Sequence, residues 1–335
     1  MTTLAQLAAQ VAADGPGSGA PAVVAVDADS ALADETAQRI ARRQPGLGAI
    51  VAGVTRGPEL RPAVAEMVDV HLTASPLPSA TAVHVPDPAQ EVERLAALAV
   101  AHPAAALSLA WLLRSTADLS VPAALAMESA TYSTLLAGAD FRRWLDRRAE
   151  PRNPGAPHRV DVDRVGDELT VRLARPDRRN AIDARMRDAL LDALLVAELD
   201  PALQVMLCGA GPVFSAGGDL DEFGTASDVA QAHIVRTSAS VGAAIWRISD
   251  RVTARVHGLA IGAGLELAAF AGRLEAVAGT ELALPEVSMG LIPGAGGTVS
   301  VARRIGRHRT LWLALSGERV SAHQALEWRL VDAVA

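Results

Sequence analysis

The stretch HGLAIGAGLELA, residues 257–268, decides the fold: an apolar strand at 252–256 runs into it, a Gly-rich loop follows, and a helix opens at about residue 264. A strand that feeds such a loop leaves backbone N–H groups free at the start of the next helix, where they favour negative charge. Glu266 sits just inside that helix among Leu265, Leu267, Ala268, Ala269 and Phe270. An acid among apolar neighbours is costly unless it is paired or used, although a first-turn acid is also favoured by the helix dipole alone. The same arrangement stands upstream, where the apolar run QVMLCGAG (204–211) leads into FSAGGDL (214–220). Gly217-Gly218 by itself reads first as a tight turn that needs positive φ. Downstream, Glu286 follows Pro285, between ELAL and the turn MGLIPGAGG. Alone it reads as a solvated loop charge.

Around these loops the pattern alternates strand and helix. DELTVRLAR (167–175) alternates as a strand, PDRRN is a turn, and Asp183 caps a helix to about Leu199. A helix over roughly 228–249 and short strands near 274–278 and 281–284 complete an α/β pattern, with helices packed on a sheet. The chain opens with a similar order, strand 22–28, helix 31–43 and strand 48–54, which reads as a partial internal repeat. Residues 89–148 are helical instead, with Pro103 and Pro122 where helices restart. RRAEPRNPGAPHRVD (147–161) has no hydrophobic period and reads as a linker. The expected organisation is therefore a degenerate first copy over 1–150, a linker over 151–160 and a catalytic domain over 161–335.

Composition narrows the function classes. Of 335 residues half are hydrophobic and 21% charged, which suits a large core and not a disordered chain. The net charge of −7 and pI near 5.6 provide no field to hold a polyanion, so nucleic acid is not an expected partner. All 31 basic residues are arginine. The single cysteine, Cys208, excludes an internal disulfide or a Cys-rich metal site, and in its apolar run it reads as a small buried side chain. No apolar run reaches membrane-spanning length unbroken, and the N-terminal LAQLAAQVAA has helical spacing without a basic leader. A cytoplasmic protein with no membrane partner is expected.

In order, spacing and residue type, FSAGGDL, HGLAIGAGLELA and LPEVSMGLIPGAGGT (284–298) together resemble the crotonase (enoyl-CoA hydratase/isomerase) superfamily. RPDRRNAID (175–183) and LSGERVSAHQALEWRLVDAV (315–334) extend the resemblance over about 167–335. The resemblance implies an α/β fold of stacked ββα turns and an enzyme adding water across the double bond of an α,β-unsaturated acyl-CoA. Glu266 and Glu286 correspond to the hydratases' two glutamates. The oxyanion-hole amides map to Gly218 and Ala263; alanine stands where glycine is common, and a backbone donor survives that change. Arg178, Arg179 and Ala216 map to the region that contacts CoA. The resemblance implies no metal and no cofactor beyond the CoA of the substrate, and a homotrimer or dimer of trimers. Related readings are a double-bond isomerase, a cofactor-independent aryl-acetyl-CoA oxygenase, or a non-catalytic partner subunit.

Relatives carry several helices beyond the segment matching residues 315–334, and residues 90–148 resemble that tail. The N-terminal helices are therefore expected to supply the helical subdomain and cover the site, with Leu95, Leu98, Val100, Leu107, Leu109, Leu112, Leu113, Leu135, Leu136 and Trp144 on their buried faces. Trp111 falls where the tail commonly has lysine.

Overall fold

The computed structural model describes residues 2–3, 22–43, 48–148 and 157–335. Its first part is a five-stranded parallel sheet in sequential order: β1 (Thr2–Thr3), β2 (Val23–Asp27), β3 (Ile50–Thr55), β4 (Val70–Thr73) and β5 (Val83–His84). Helices α1 (Asp34–Arg43) and α2 (Pro62–Met67) connect β2 to β3 and β3 to β4. The expected strand–helix–strand opening is present, and β4 and β5 extend it. Both are too short to show a period in the sequence. The alanine-rich N-terminal stretch and residues 151–156 of the expected linker lie outside the described residues. At Val160 the chain is already in strand.

Four helices follow: α3 (Pro88–Ala101), α4 (Pro103–Ser115), α5 (Val121–Leu136) and α6 (Ala139–Asp146). Pro88, Pro103 and Pro122 sit in the first turns of α3, α4 and α5, where a missing N–H costs nothing. Asp87 caps α3 by accepting from Ala89 N and Gln90 N. Most of the apolar positions expected to be covered pack into the core, but Val100 is 67% exposed. It lies on the outer face of α3, opposite Leu95 and Ala99.

The remaining chain builds β6 (Val160–Val165), β7 (Glu168–Leu173), α7 (Ala184–Leu199), β8 (Gln204–Gly209), α8 (Val229–Ser238), α9 (Val241–Arg247) and β9 (Val252–Val256). After these come β10 (Leu259–Ile261), α10 (Ala263–Ala268), β11 (Arg273–Ala276), β12 (Glu281–Ala283) and α11 (Gly297–Ser316). The last described elements are β13 (Val320–Ser321), α12 (Ala322–Glu327) and β14 (Ala333–Val334). The single helix expected over 228–249 is two, because Ser240 turns its hydroxyl to cap Ala243 N and begins α9. Six strands form a sheet in the order β14-β11-β9-β8-β7-β6, parallel except for the antiparallel β6–β7 hairpin. A second sheet, β10-β12-β13, lies beside it. Bridges Ile182–Gly218 and Ser215–Ala260 tie the two Gly-rich loops to neighbouring turns. These stacked turns, with the helical subdomain packed against them, are the architecture that the resemblance implies. Cys208 on β8 is half-buried rather than fully enclosed. No single described helix is long and apolar enough to cross a membrane.

The two parts share one core, from Val23 and Ile50 through Leu109 and Leu135 to Leu207, Leu265 and Leu313. Helix α11, bent at Gly306 (φ +78°), carries much of that contact. Its Arg307 donates to the carbonyls of Ala65 and Glu66, and Arg309 to those of Ala82 and Ser79. Trp312 Nε1 donates to Glu91 Oε1 at 2.6 Å. Asp69 is buried beneath it, accepting from Val51 N and paired with Arg114 and Arg307.

Candidate active site

One cavity of about 390 Å³ brings Gly218, Ala263, Glu266 and Glu286 together. The loop carrying Gly218 is held from beneath. Asn180, at φ +53°, accepts from Arg175 N and donates to the carbonyls of Ala210, Val213 and Phe214. Arg175 is buried and donates to Asp219 Oδ2 at 2.7 Å, and it also pairs with Asp183. Asp219 N and Gly217 O are spent on Ile182, whereas Gly218 N has no acceptor among the described residues. Ala263 N, at the first position of α10, has none either. Two unspent amides thus line the same cavity. An amide that faces a cavity without a protein acceptor is free to donate to an oxygen placed there.

Glu266 follows Ala263 on α10 because a strand, a Gly-rich loop and a helix start occur in that order. Its Oε2 accepts from Ala295 N and Gly297 N, both at 2.7 Å. A Cβ on Gly297 would fall 2.6 Å from Glu266 Cγ, so glycine lets the turn approach the acid. Glu286 starts a 3₁₀ turn, Glu286–Met289, and is 7% exposed. Its Oε1 lies against Gly262, where a Cβ would meet it at 2.4 Å and where φ is +50°. Only glycine suits that backbone. Its Oε2 is buried without a hydrogen-bond partner among the described residues.

A third carboxylate, Glu128, completes the group. It comes from α5 in the N-terminal part, is 2% exposed, and lines the same cavity. Its Oε1 accepts from Gly296 N at 2.7 Å, and its Oε2 from Thr298 N at 3.0 Å and Thr298 Oγ1 at 2.6 Å. Successive amides at the start of α11 therefore alternate: Ala295 and Gly297 point at Glu266, Gly296 and Thr298 at Glu128. The sequence reading missed Glu128. An acid between Met127 and Ser129 on an otherwise small and apolar helix was the available signal.

Burial pushes all three carboxyls above the ordinary range of 4.5. For Glu266 the rise is to about 7, held back by the amides of its turn. For Glu128 it is to about 8, with the charge of Glu266 adding to burial. Glu286 is raised well above its usual value by burial and then by Glu266. Buried like-charged acids cannot all ionise together.

Much of the remaining wall is apolar, with Arg187, Arg236 and several hydroxyls and acids set into it. Leu125, Leu136, Phe141 and Leu145 come from the N-terminal helices, and Phe223, Val229, Val241 and Leu267 face them. Arg148, just past α6, donates to Phe223 O and Asp221 Oδ1, clamping the loop after Gly218. Arg178, Arg179 and Ala216 lie outside the cavity lining. Arg178 is paired with Asp221. Arg179 is exposed, at φ +53°, and its carbonyl accepts from Ala216 N. Trp111 and His257 are also outside the lining; His257 Nε2 is 2.9 Å from Gly211 O. Among the described residues no group of three His, Cys, Asp or Glu side chains is placed to hold a metal ion.

The family model for enoyl-CoA hydratase/isomerase matches residues 168–335, half of the chain. A 2,3-dehydroadipyl-CoA hydratase of Escherichia coli is 34% identical over 174 residues, covering 52% of this chain and 68% of that protein. The mitochondrial enoyl-CoA hydratase of Pongo abelii is 33% identical over 167 residues, covering 49% of this chain and 56% of its own length. The crystal structure of an enoyl-CoA hydratase from Thermoplasma volcanium shares 34% identity at a TM-score of 0.49, covering 52% of this chain and 71% of that one. The match thus spans between 56% and 71% of these relatives' lengths. With the family model covering the two Gly-rich loops, both α10 and the Pro-Gly turn, the chain belongs to the enoyl-CoA hydratase/isomerase family of the crotonase superfamily.

Proposed function

We propose that this protein is an enoyl-CoA hydratase, adding water across the α,β double bond of an acyl-CoA thioester. The observation that carries the reading is the unequal setting of Glu266 and Glu286. Glu266 Oε2 receives two backbone amides, which favour its anion. Glu286 Oε2 receives none and faces the charge of Glu266, which favours its acid form. Two titratable groups whose surroundings split their roles make an acid–base pair.

The thioester oxygen accepts from Gly218 N and Ala263 N. Glu266 orients a water and takes its proton as the water oxygen bonds to the β carbon. Electron density moves through the α carbon onto the thioester oxygen, where the two amides stabilise it. Glu286 then gives its proton to the α carbon. The pair is left with the proton on Glu266 and resets by exchange with solvent. An isomerase needs one acid to shuttle a single proton, so two acids of opposite preference support hydration. Acyl-CoA is the proposed partner.

The test follows loss of the conjugated enoyl absorbance over a panel of enoyl-CoA thioesters. Glu266→Gln and Glu286→Gln should each lower turnover by about 10²–10⁴, the scale for losing a positioned acid or base. Binding of a saturated acyl-CoA should persist, because the oxygen donors belong to the backbone. Full turnover in either variant would sink the assignment.

A further inference from the structure

The cavity wall also holds a cation that hydration does not use. Arg236, on α8, lines the cavity among Leu125, Leu136, Val229 and Val241. It is half-buried, and no acid within ion-pairing distance matches it among the described residues. Its Nε donates to Ser129 Oγ at 3.2 Å, and Nη2 to Ser129 O at 3.4 Å and to Ser133 Oγ. Its guanidinium carbon stacks 4.7 Å from the Tyr132 ring centroid. Hydroxyls, a carbonyl and an aryl face fix the fork, but none neutralises it. Nη1 has no protein hydrogen bond among the described residues.

The neighbouring charges do not fill that role. Glu128 is the carboxylate that acts on Arg236, after Tyr132, yet its oxygens already hold Gly296 N, Thr298 N and Thr298 Oγ1. Arg187 lines the cavity too, but Asp188 accepts from its Nε at 2.8 Å, so its charge is met. Burial lowers the pKa of Arg236, a sign that its charge is held at a cost. A half-buried, pre-oriented guanidinium without a counter-ion matches a planar anion. A purely hydrocarbon chain filling this cavity would leave that charge buried and unmet.

We infer that the acyl chain taken by this site ends in a carboxylate, which Arg236 binds while the thioester oxygen lies between Gly218 N and Ala263 N. The substrate class is then the CoA monothioester of an unsaturated dicarboxylic acid. This rests on the proposed use of the cavity for acyl-CoA, and narrows it. The other source of an anion is a phosphate of CoA itself, which every acyl-CoA shares.

Calorimetric titration of the whole protein with matched saturated thioesters separates these cases. The pairs are succinyl-CoA with butyryl-CoA, glutaryl-CoA with pentanoyl-CoA, and adipyl-CoA with hexanoyl-CoA. At the chain length that spans the cavity, the acid should bind about tenfold or more tighter than its neutral twin, the scale of a hydrogen bond to a charged group. In Arg236→Gln the ratio should fall towards one. Because the wild-type ratio needs no variant, a variant that misfolds does not remove the test. Neutral twins binding as well as the acids at every length would overturn the inference. So would Arg236→Gln weakening both members of a pair equally, which is the signature of a phosphate contact. If the acids bind preferentially but no enoyl-CoA is hydrated, the carboxylate site stands and hydratase chemistry falls.

Discussion

Replacing Glu128 with Gln should change the sign of its effect on stability as pH rises. The carboxyl is raised from 4.5 to about 8 in the folded protein, by burial and then by Glu266. Between those values the folded state binds a proton that the unfolded chain releases. Its contribution is therefore complete below about pH 4.5 and is lost as pH climbs through about 8. A rise of roughly 3.5 units at 1.36 kcal/mol each sets a ceiling of about 5 kcal/mol. Sharing of the interaction with Glu266 and local relaxation bring a realistic figure to about 2 kcal/mol. Gln escapes this loss but gives up one acceptor to the amides of Gly296 or Thr298, at about 1 kcal/mol. The variant should thus be about 1 kcal/mol less stable than wild type near pH 5 and about 1 kcal/mol more stable above pH 8. Urea unfolding followed by circular dichroism at stepped pH measures both curves. A difference that stays constant from acid to alkaline pH would refute the argument, since it would mean that Glu128 titrates alike in both states.

Two further perturbations test other links. Ala263→Pro removes one amide where a helix start tolerates proline, so turnover should drop by about 10²–10³ with little change in far-ultraviolet dichroism; unchanged turnover would take Ala263 N out of the oxygen site. Asp69→Ala leaves Arg114 and Arg307 without their buried acid and should cost about 3–5 kcal/mol in denaturant unfolding. A loss below about 0.5 kcal/mol would show that the junction of the two parts does not depend on that cluster.

The sequence made the catalytic half readable because its chemistry is local. Ala263 and Glu266 lie three residues apart on one helix start, which local spacing sets, whereas Gly218 on the other strand-to-loop turn is joined to them by the resemblance in order and residue type. The apolar period of the strands, such as Leu169, Val171 and Leu173 on the inner face of β7, carries the sheet. What could not be read depends on contacts across the chain. Glu128 matters only because α5 meets the turn before α11. Val100 belongs to an apolar stretch, yet α3 has only one covered face. Arg178 looks like a free surface cation until Asp221 folds against it. The two short strands β4 and β5 owe their existence to neighbours rather than to their own pattern.

The alternating amides of the turn at 295–298 also bear on how the protein comes to life. Glu128 and Gly296 stand 168 positions apart along the chain, and Glu128 and Thr298 stand 170 apart. Such distant partners meet late, after sheets and helices have formed from nearer contacts. A nascent chain carries α5 long before the turn it grips has been synthesised, so the N-terminal part waits with an acid exposed to water. Recovery of turnover after dilution from denaturant should consequently trail recovery of helical dichroism, and simultaneous recovery would show that the two parts dock early. A molecule in which α5 has not yet met that turn holds Glu266 on α10 while the amides of Ala295 and Gly297 that steady it lack the grip of Glu128.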